Sequence, residues 1–406
     1  MDARHAIGLS AIAFVASCTA RDPIETCEIG KVAVHPLQSG PHHSVANGTN
    51  SQNGDPEDDF TDLEEGLFTH GVEYWTTIRV GGKDINVVAD TGSSDLVLPD
   101  HVYTPGPTAI NQRTQLKLGY GSCNGMATQY EDSVGLTCGA PVALSFAYAT
   151  GGNCPSILGL AYPSLSKVCQ DVQVNCPTCT CTFFGDLVAR GGVQNLFSML
   201  LCGARSGSQL ILGGQIANAP LSAITYTAIP EENYYTVVPI DMRIKGGGLI
   251  GTFSPDIIGT PPFMHYPIVD SGTTLTVIPD AWHDQIATAI QQVNPNLPLG
   301  FFQSTKPSET VFTLSSRELG DTSKFPTITL TMTGYQGAPN FTLEMPPSTY
   351  LKRGSDHNYM FGFRKLSTSN SPQVVFGQTL MENYYVVFDR ANKRIGFAPS
   401  ATLCGE

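Results

Sequence analysis

The sequence has few basic residues and no long apolar run after its first twenty residues. It holds 22 lysines and arginines against 35 aspartates and glutamates, a formal net charge of −13. Nucleic-acid binding needs a basic face, which this balance argues against. A membrane-spanning helix needs about 20 apolar residues in a row, which no later segment approaches. We therefore expect no nucleic-acid partner and no membrane anchor.

Two hydrolase signatures are also missing. The sequence contains neither Gly-x-Ser-x-Gly, the nucleophile turn of many serine hydrolases, nor the zinc-binding pattern His-Glu-x-x-His. Cys176-Pro-Thr-Cys179 has zinc-ribbon spacing, but no second pair follows at the usual distance. We expect a disulfide-tied loop there, with metal binding as the alternative, and we predict no metal or other cofactor.

Residues 1–20 have the pattern of a secretory signal peptide, because Arg4 and His5 precede an apolar stretch that leads to Ala20. A buried strand or helix is the alternative. Removal of Cys18 would leave ten of the eleven cysteines, an even number that predicts disulfides. We expect a secreted, extracellular protein or, alternatively, one in the lumen of an acidic compartment such as a vacuole.

Residues 21–66 differ in composition from the rest of the chain. They contain ten acidic residues and two basic ones. Such a segment buries too little apolar surface to order itself, so we predict a flexible stretch over 38–66 and a short strand at Lys31–Val34. Order is expected to begin near Val72.

One short sequence occurs twice. Asp90-Thr91-Gly92-Ser93-Ser94 is matched by Asp270-Ser271-Gly272-Thr273-Thr274, and Val97–Asp100 follows the first copy as Val277–Asp280 follows the second. Asp-x-Gly alone is an ordinary turn sequence. Two copies with matched apolar flanks predict two related halves, each presenting an Asp-bearing loop. Facing loops would hold two carboxylates over one water.

Frequent glycine and proline between short β-branched runs predict a mostly β protein. Alternation over Glu73–Val80 predicts a hairpin that delivers Asp90. Helices are predicted over Asp280–Ile290 and around Phe183–Ala189. We place the lobe boundary near residue 220, which gives lobes at 67–220 and 221–406.

These residues resemble the pepsin-like aspartic proteases, mostly β enzymes with two related lobes and a central cleft. The likeness covers about residues 72–404. Besides the Asp loops, it rests on Ile157–Ser164 and Val375–Gly377, which are similar to the family's crossing strands, and on Asn383–Ala398, which is similar to its closing strands.

The resemblance implies that Asp90 and Asp270 are catalytic. Two carboxylates about 3 Å apart repel by roughly 5 kcal/mol at an effective dielectric constant near 20, so they share one proton. The ionised partner would polarise a water, and the protonated partner would hydrogen-bond the substrate carbonyl. Ser93 and Thr273 are each expected to donate to their own Asp, which lowers its pKa and predicts an acidic pH optimum.

The resemblance also implies roles for neighbouring residues. Thr91 and Ser271 would brace the loops against each other, and Gly92 and Gly272 would let the backbone turn tightly. A hairpin over Leu116–Val134 would be the flap that closes over substrate, with Tyr120 and Gly121 covering the cleft.

Two stretches look closest to the β-secretase branch, Asn195–Ala204 and Met381–Cys404. That branch has a disulfide at these places, which implies a Cys202–Cys404 bond, and a membrane anchor afterwards, which we do not expect because the chain stops two residues past Cys404. The other eight mature cysteines allow 105 pairings.

The sequence thus predicts a monomeric secreted endopeptidase acting on polypeptides, either broadly digestive or restricted to one target. The alternative is a non-catalytic binding protein on the same fold. Family zymogens commonly pair a basic pro-segment with the catalytic carboxylates, so the acidic residues 21–66 predict weak or absent self-inhibition. Asn47 and Asn340 begin possible glycosylation motifs.

Overall fold

The computed structural model describes the larger part of the chain. The described residues are 33–36, 38–40, 73–119, 124–136, 141–151, 154–169, 181–191, 193–203, 205–216, 223–259, 265–303, 312–354, 357–368 and 373–405. Strands predominate in them and helices are short, so the prediction of a mostly β, bilobal fold is confirmed.

The first half of the described chain is built around one large sheet. Strand β1 (Ala33–Pro36) precedes this sheet and belongs to another. The strands of the sheet are β2 (Gln38–Gly40), β3 (Glu73–Val80), β4 (Lys83–Asp90), β5 (Leu96–Pro99), β6 (Ile110–Gly119), β7 (Asn124–Leu136), β8 (Val142–Ala149) and β9 (Ile157–Gly159). The sheet order is β2-β3-β4-β9-β5-β8-β7-β6, with a further pairing between β3 and β7. The predicted hairpin is therefore present as β3 and β4, which end at Asp90.

The later strands form further sheets. They are β10 (Phe197–Leu200), β11 (Gln209–Leu212), β12 (Thr225–Ala228), β13 (Pro239–Ile244), β14 (Leu249–Thr252), β15 (Ile268–Val269), β16 (Thr276–Ile278), β17 (Ile328–Met332), β18 (Phe341–Met345), β19 (Leu351–Arg353), β20 (Tyr359–Phe361), β21 (Phe363–Lys365), β22 (Val375–Phe376), β23 (Tyr384–Asp389) and β24 (Arg394–Pro399). The second lobe contains the sheets β14-β13-β17-β18 and β15-β22-β16-β21, and the pair β19-β20.

A six-stranded sheet joins the two halves. Its order is β1-β11-β10-β23-β24-β12, so strands from the start, the middle and the end of the chain lie side by side. Phe197 of β10 stacks on Phe388 of β23 with ring centroids 4.7 Å apart, and the ring of Tyr235 packs against both. The hydrophobic core is therefore continuous across the lobes.

Short helices cover the sheets. They are α1 (Phe183–Gly191), α2 (Pro255–Ile258), α3 (Asp280–Val293), α4 (Ser316–Leu319), α5 (Pro347–Tyr350) and α6 (Gln378–Met381), and 3-10 turns lie at Pro163–Leu165, Leu299–Phe302, Thr322–Lys324, Tyr335–Gly337 and Leu366–Thr368. Both predicted helices are confirmed as α1 and α3. Trp282, Ile286 and Ile290 lie on the buried face of α3, whereas Ala281 is exposed.

The prediction of flexibility over residues 38–66 is wrong at its start. Residues 38–40 form β2, which pairs in antiparallel register with residues 73–75 of β3. Residues 33–36 form β1, which overlaps the predicted strand at Lys31–Val34 and pairs with β11. Backbone pairing with β11 and β3 orders these residues.

The repeated sequence corresponds to a repeated structure. In the first lobe β4 pairs in parallel with β9, and β9 pairs antiparallel with β5 on the far side of the Asp loop. In the second lobe β15, β22 and β16 repeat this arrangement. A Cβ at Gly159 would lie 2.4 Å from the carbonyl carbon of Ser94, and one at Gly377 would lie 2.3 Å from the carbonyl oxygen of Thr273. Each crossing strand therefore needs glycine where it passes the Asp loop.

Candidate active site

The first Asp loop holds its carboxylate with two donors. The backbone N–H of Gly92 donates to Asp90 Oδ1 at 2.8 Å, and the hydroxyl of Ser93 donates to Asp90 Oδ2 at 2.5 Å. The backbone is fixed as well, because the Leu160 N–H donates to the Asp90 carbonyl and the Ala161 N–H to the Ser93 carbonyl. The loop is thereby tied to the segment that follows β9.

The second loop repeats this geometry. The backbone N–H of Gly272 donates to Asp270 Oδ1 at 2.8 Å, and the hydroxyl of Thr273 donates to Asp270 Oδ2 at 2.5 Å. The Asp270 side chain is buried, with 8% of the residue exposed. Each carboxylate therefore receives one backbone and one hydroxyl hydrogen bond from its own lobe.

Thr91 and Ser271 connect the two loops. The Ser271 hydroxyl accepts from the Thr91 N–H at 3.0 Å and donates to the Ala89 carbonyl at 2.6 Å. The Thr91 hydroxyl accepts from the Ser271 N–H at 2.9 Å and donates to the Val269 carbonyl at 3.1 Å. Both residues are fully buried, so this reciprocal set fixes the position of one Asp loop relative to the other.

The carboxyl groups of Asp90 and Asp270 interact directly. Burial, followed by the charge of Asp270, raises the pKa of Asp90 well above its usual range, although the Ser93 hydroxyl and the Gly92 N–H oppose this shift. A hydrogen bond between the two side chains also favours the protonated form of Asp90. The pair can therefore retain a proton where an isolated aspartate would have lost it.

The two loop glycines leave space for the opposite carboxylate. A Cβ at Gly92 would lie 2.6 Å from the Asp270 carboxyl atoms, and one at Gly272 would lie 2.3 Å from Asp90 Oδ1. Neither glycine has a positive φ. The sequence interpretation assigned them to a tight turn, but the decisive requirement is the missing side chain, since any larger residue would separate the carboxyl groups.

Replacement of Gly272 by alanine is expected to reduce kcat/KM for a peptide substrate by roughly 100-fold, because displacement of a catalytic group by about 1 Å can cost that much. The matched control is Gly248→Ala, where a Cβ meets nothing within 4 Å and φ is not positive. Steady-state kinetics on the two purified variants measures the difference. Equal kinetics for Gly272→Ala and Gly248→Ala would contradict this role.

Sequence reasoning missed two residues beside the loops. Gln378, at the start of α6, donates from Nε2 to the Ser271 carbonyl at 2.9 Å and from its backbone N–H to the Thr273 carbonyl at 2.9 Å. Tyr234 is the other, and burial, followed by the charges of Asp270 and Asp90, raises its pKa. The one available signal was that Gln378 directly follows Gly377 of the crossing strand.

Two paired strands lie where the flap was predicted. Strands β6 and β7 pair in antiparallel register up to Gly119 and Asn124, and both of these residues lie within the predicted range of Leu116–Val134. Tyr120 and Gly121 themselves lie outside the described residues, so their covering role stays a prediction.

The structure describes some of the remaining predicted residues and not others. Cys202 and Cys404 form a disulfide with Cα atoms 5.6 Å apart, the pairing that the resemblance implies, and Cys169 bonds to Cys181. Asn340 is exposed, as a glycosylation site requires. Asn47, and the cysteines at positions 176 and 179, lie outside the described residues.

Neither a metal cluster nor a membrane span was found among the described residues. In that part of the chain no group of three or more His, Cys, Asp or Glu residues is placed to hold a metal ion. No helix described there combines the length and apolar character needed to cross a bilayer.

Comparison with known proteins identifies the family. The sequence profile described as eukaryotic aspartyl protease matches residues 73–400. The chain belongs to this family. Residues 73–400 include both Asp loops, both crossing strands and the hairpin β6–β7, so the family match and the geometry of the site refer to the same part of the aspartyl protease.

Several curated relatives resemble this aspartyl protease at low identity. A beta-secretase of Strongylocentrotus purpuratus is 25% identical over an alignment covering 93% of this chain and 76% of the relative. Pepsin A of Gallus gallus is 26% identical, covering 80% of this chain and 84% of the relative. Gastricsin of Cavia porcellus is 27% identical, covering 84% of each chain.

Proposed function

We propose that the protein is an aspartic endopeptidase that hydrolyses peptide bonds with a water activated between Asp90 and Asp270. One observation carries the proposal: two carboxyl groups that lie against each other's loop glycines, each held by a hydroxyl and a backbone N–H of its own lobe. Such a pair can supply an acid and a base from adjacent positions.

The raised pKa of Asp90 supports placing the shared proton on that residue in the proposed mechanism. Asp90 holds the proton and donates a hydrogen bond to the substrate carbonyl, and Asp270 accepts a proton from the water as its oxygen attacks the carbonyl carbon. The tetrahedral intermediate then loses its amine as the leaving nitrogen takes a proton from the pair and the C–N bond breaks. No covalent enzyme intermediate forms, so the pair returns to its starting protonation state.

We further propose that the enzyme is secreted, or lies in the lumen of an acidic compartment, and cleaves polypeptides. The pattern of residues 1–20 supports passage through the secretory route. The hairpin β6–β7 supports a substrate-covering element beside the aspartates.

The pH dependence of cleavage tests this proposal. Asp90 must be protonated, so activity is present below its raised pKa and is lost as pH rises through it; at low pH the base is lost as the pair takes up a second proton. We expect an acidic maximum for cleavage of a denatured protein, with pepstatin blocking it. A maximum at neutral or alkaline pH would contradict the prediction, and absence of cleavage at every pH would favour a binding protein.

Ser93→Ala refines the same measurement. The Ser93 hydroxyl favours the charged form of Asp90, so its removal should raise the Asp90 pKa further and move the alkaline limb of the profile upward by roughly one pH unit. A downward shift would contradict the assignment of the proton to Asp90.

A further inference from the structure

A cavity lies away from the catalytic loops. It has a volume of about 770 Å³, and no residue of either Asp loop lines it. Its walls come from the β10–β11 connection, from α4, α5 and β19, and from the segment after α6. We call it the basic pocket, after its charged lining residues Arg205, Lys352, Arg353 and Glu382.

The floor of the basic pocket is a buried polar network. Lys352, 3% exposed, forms an ion pair with Glu382 Oε1, which also accepts a hydrogen bond from the Tyr74 hydroxyl at 2.8 Å. The Tyr74 hydroxyl in turn accepts from the Gly203 N–H at 2.7 Å. Glu382 therefore neutralises Lys352.

The rim of the pocket keeps an excess of positive charge. Arg205 and Arg353 are exposed, and Arg353 Nη2 lies 3.1 Å from His357 Nδ1. Two acidic residues lie close in sequence to the lining residues of α4 and the turn after it, and both bind to neighbours in the chain. Glu318 accepts hydrogen bonds from Ser315, and Asp321 accepts from Ser323 and forms an ion pair with Lys324. Neither of these carboxylates lines the pocket.

The lining suits a ligand with several carboxylates. No carboxylate among the described residues pairs with the guanidinium groups of Arg205 and Arg353, so these groups attract negative charge. The hydroxyl groups of Ser316, Thr322 and Ser348 line the same space as further donors. The protein as a whole carries a net charge of −13, so a locally basic cavity stands out as an anion site. The volume accommodates several side chains rather than one ion.

The chain itself contains a matching acidic segment close by. The 32 residues between Gly40 and Glu73 (73 − 40 − 1 = 32) include seven acidic residues and no lysine or arginine. The acidic residues are Asp55, Glu57, Asp58, Asp59, Asp62, Glu64 and Glu65.

The position of the strands favours an intramolecular contact. Gly40 and Glu73 are paired neighbours in β2 and β3, and the adjacent Tyr74 reaches the pocket floor with its hydroxyl. Both ends of the acidic segment therefore lie beside Tyr74, whose side chain connects this part of the sheet to the pocket floor. Sixteen extended residues span roughly 50 Å, so the acidic residues can reach the rim and return.

We propose that the acidic residues between Asp55 and Glu65 bind the basic pocket of their own chain. The catalytic carboxylates repel this segment, whereas Arg205 and Arg353 attract it. The pocket therefore anchors the segment on a surface that contains no residue of the Asp loops. Tethering makes the contact intramolecular and raises the effective concentration of the segment to the millimolar range.

Peptide competition tests the proposal. A fluorescent peptide with the sequence of residues 53–66 is titrated against two full-length proteins, the native chain and a chain whose seven acidic residues at 55–65 are replaced by the corresponding amides. We expect saturable binding to the amide chain and at least tenfold weaker binding to the native chain, whose own segment competes. Binding should weaken with salt, as expected for exposed charges.

Substitution of the two arginines at the rim of the basic pocket, compared with substitution of a lysine elsewhere, tests whether the charges of the pocket bind the peptide. Arg205→Ser combined with Arg353→Ser should weaken peptide binding to the amide chain at least tenfold, whereas Lys83→Ser, an exposed cation outside the pocket, should leave it unchanged. No saturable binding, or equal losses in both variants, would overturn the proposal.

Limited proteolysis measures whether the acidic segment of the native chain binds the basic pocket of the same molecule. A glutamate-specific endoprotease should cut within residues 53–66 at least fivefold faster in the Arg205→Ser, Arg353→Ser protein than in the native or Lys83→Ser protein. Identical cleavage rates in all three proteins would show that the segment does not occupy the pocket.

Discussion

Asp270→Asn should lower kcat/KM for peptide hydrolysis by about 1,000-fold or more, and Asp90→Asn should do the same. Proton transfer by a positioned acid or base commonly contributes factors of 10² to 10⁴, and the pair acts as one unit because the two groups share a proton. Asparagine has the same shape, so Oδ1 can still accept from the Gly272 N–H. The fold should therefore survive while the chemistry is lost.

The measurement is steady-state cleavage of a fluorogenic peptide at the pH optimum, together with circular dichroism to verify folding. Asp256→Asn is the matched control, because Asp256 is an exposed aspartate of the same lobe. More than a tenth of native activity in Asp270→Asn would rule out the proposed pair, and a loss in Asp256→Asn would point to a general effect of charge.

Removal of the Cys202–Cys404 bond by Cys202→Ser with Cys404→Ser should destabilise the protein by about 3–5 kcal/mol. The two residues are 202 positions apart, so the disulfide restricts a very large loop in the unfolded chain. It also ties the last residues to the connection between β10 and β11 of the interlobe sheet. The free energy of unfolding is measured by urea titration with intrinsic fluorescence.

The Cys169–Cys181 bond offers the comparison within the same chain. Its separation is 12 residues, so its removal should cost about 2 kcal/mol less if loop entropy dominates. Equal costs for the two double variants would contradict the entropic explanation.

The repeat at Asp90 and Asp270 predicted the central geometry because each copy encodes its own local structure. The Asp carboxylate, the N–H two residues later and the hydroxyl three residues later meet within one loop, so spacing alone brings them together. The crossing glycines were identified by resemblance for a similar reason, since Gly159 is the last residue of β9 and Gly377 directly follows β22.

Features that depend on distant parts of the chain could not be predicted in this way. Gln378 reaches Ser271 from 107 positions away, and its place directly after Gly377 does not by itself indicate that contact. The space that Gly92 leaves for Asp270 exists only once the lobes meet. Strand β2 was missed because composition was averaged over an acidic segment, while pairing with β3 required only three extended residues.

The pairing of β10 with β23 has a consequence for synthesis on the ribosome. Phe197 and Phe388 are partners but lie 191 positions apart (388 − 197 = 191), a distance that takes roughly 10–40 s to translate. Until then one edge of β10 has no partner, and unpaired edges favour aggregation. The edge of β10 is thus covered only once β23 has been made, so nascent chains released before β23 should be prone to aggregate.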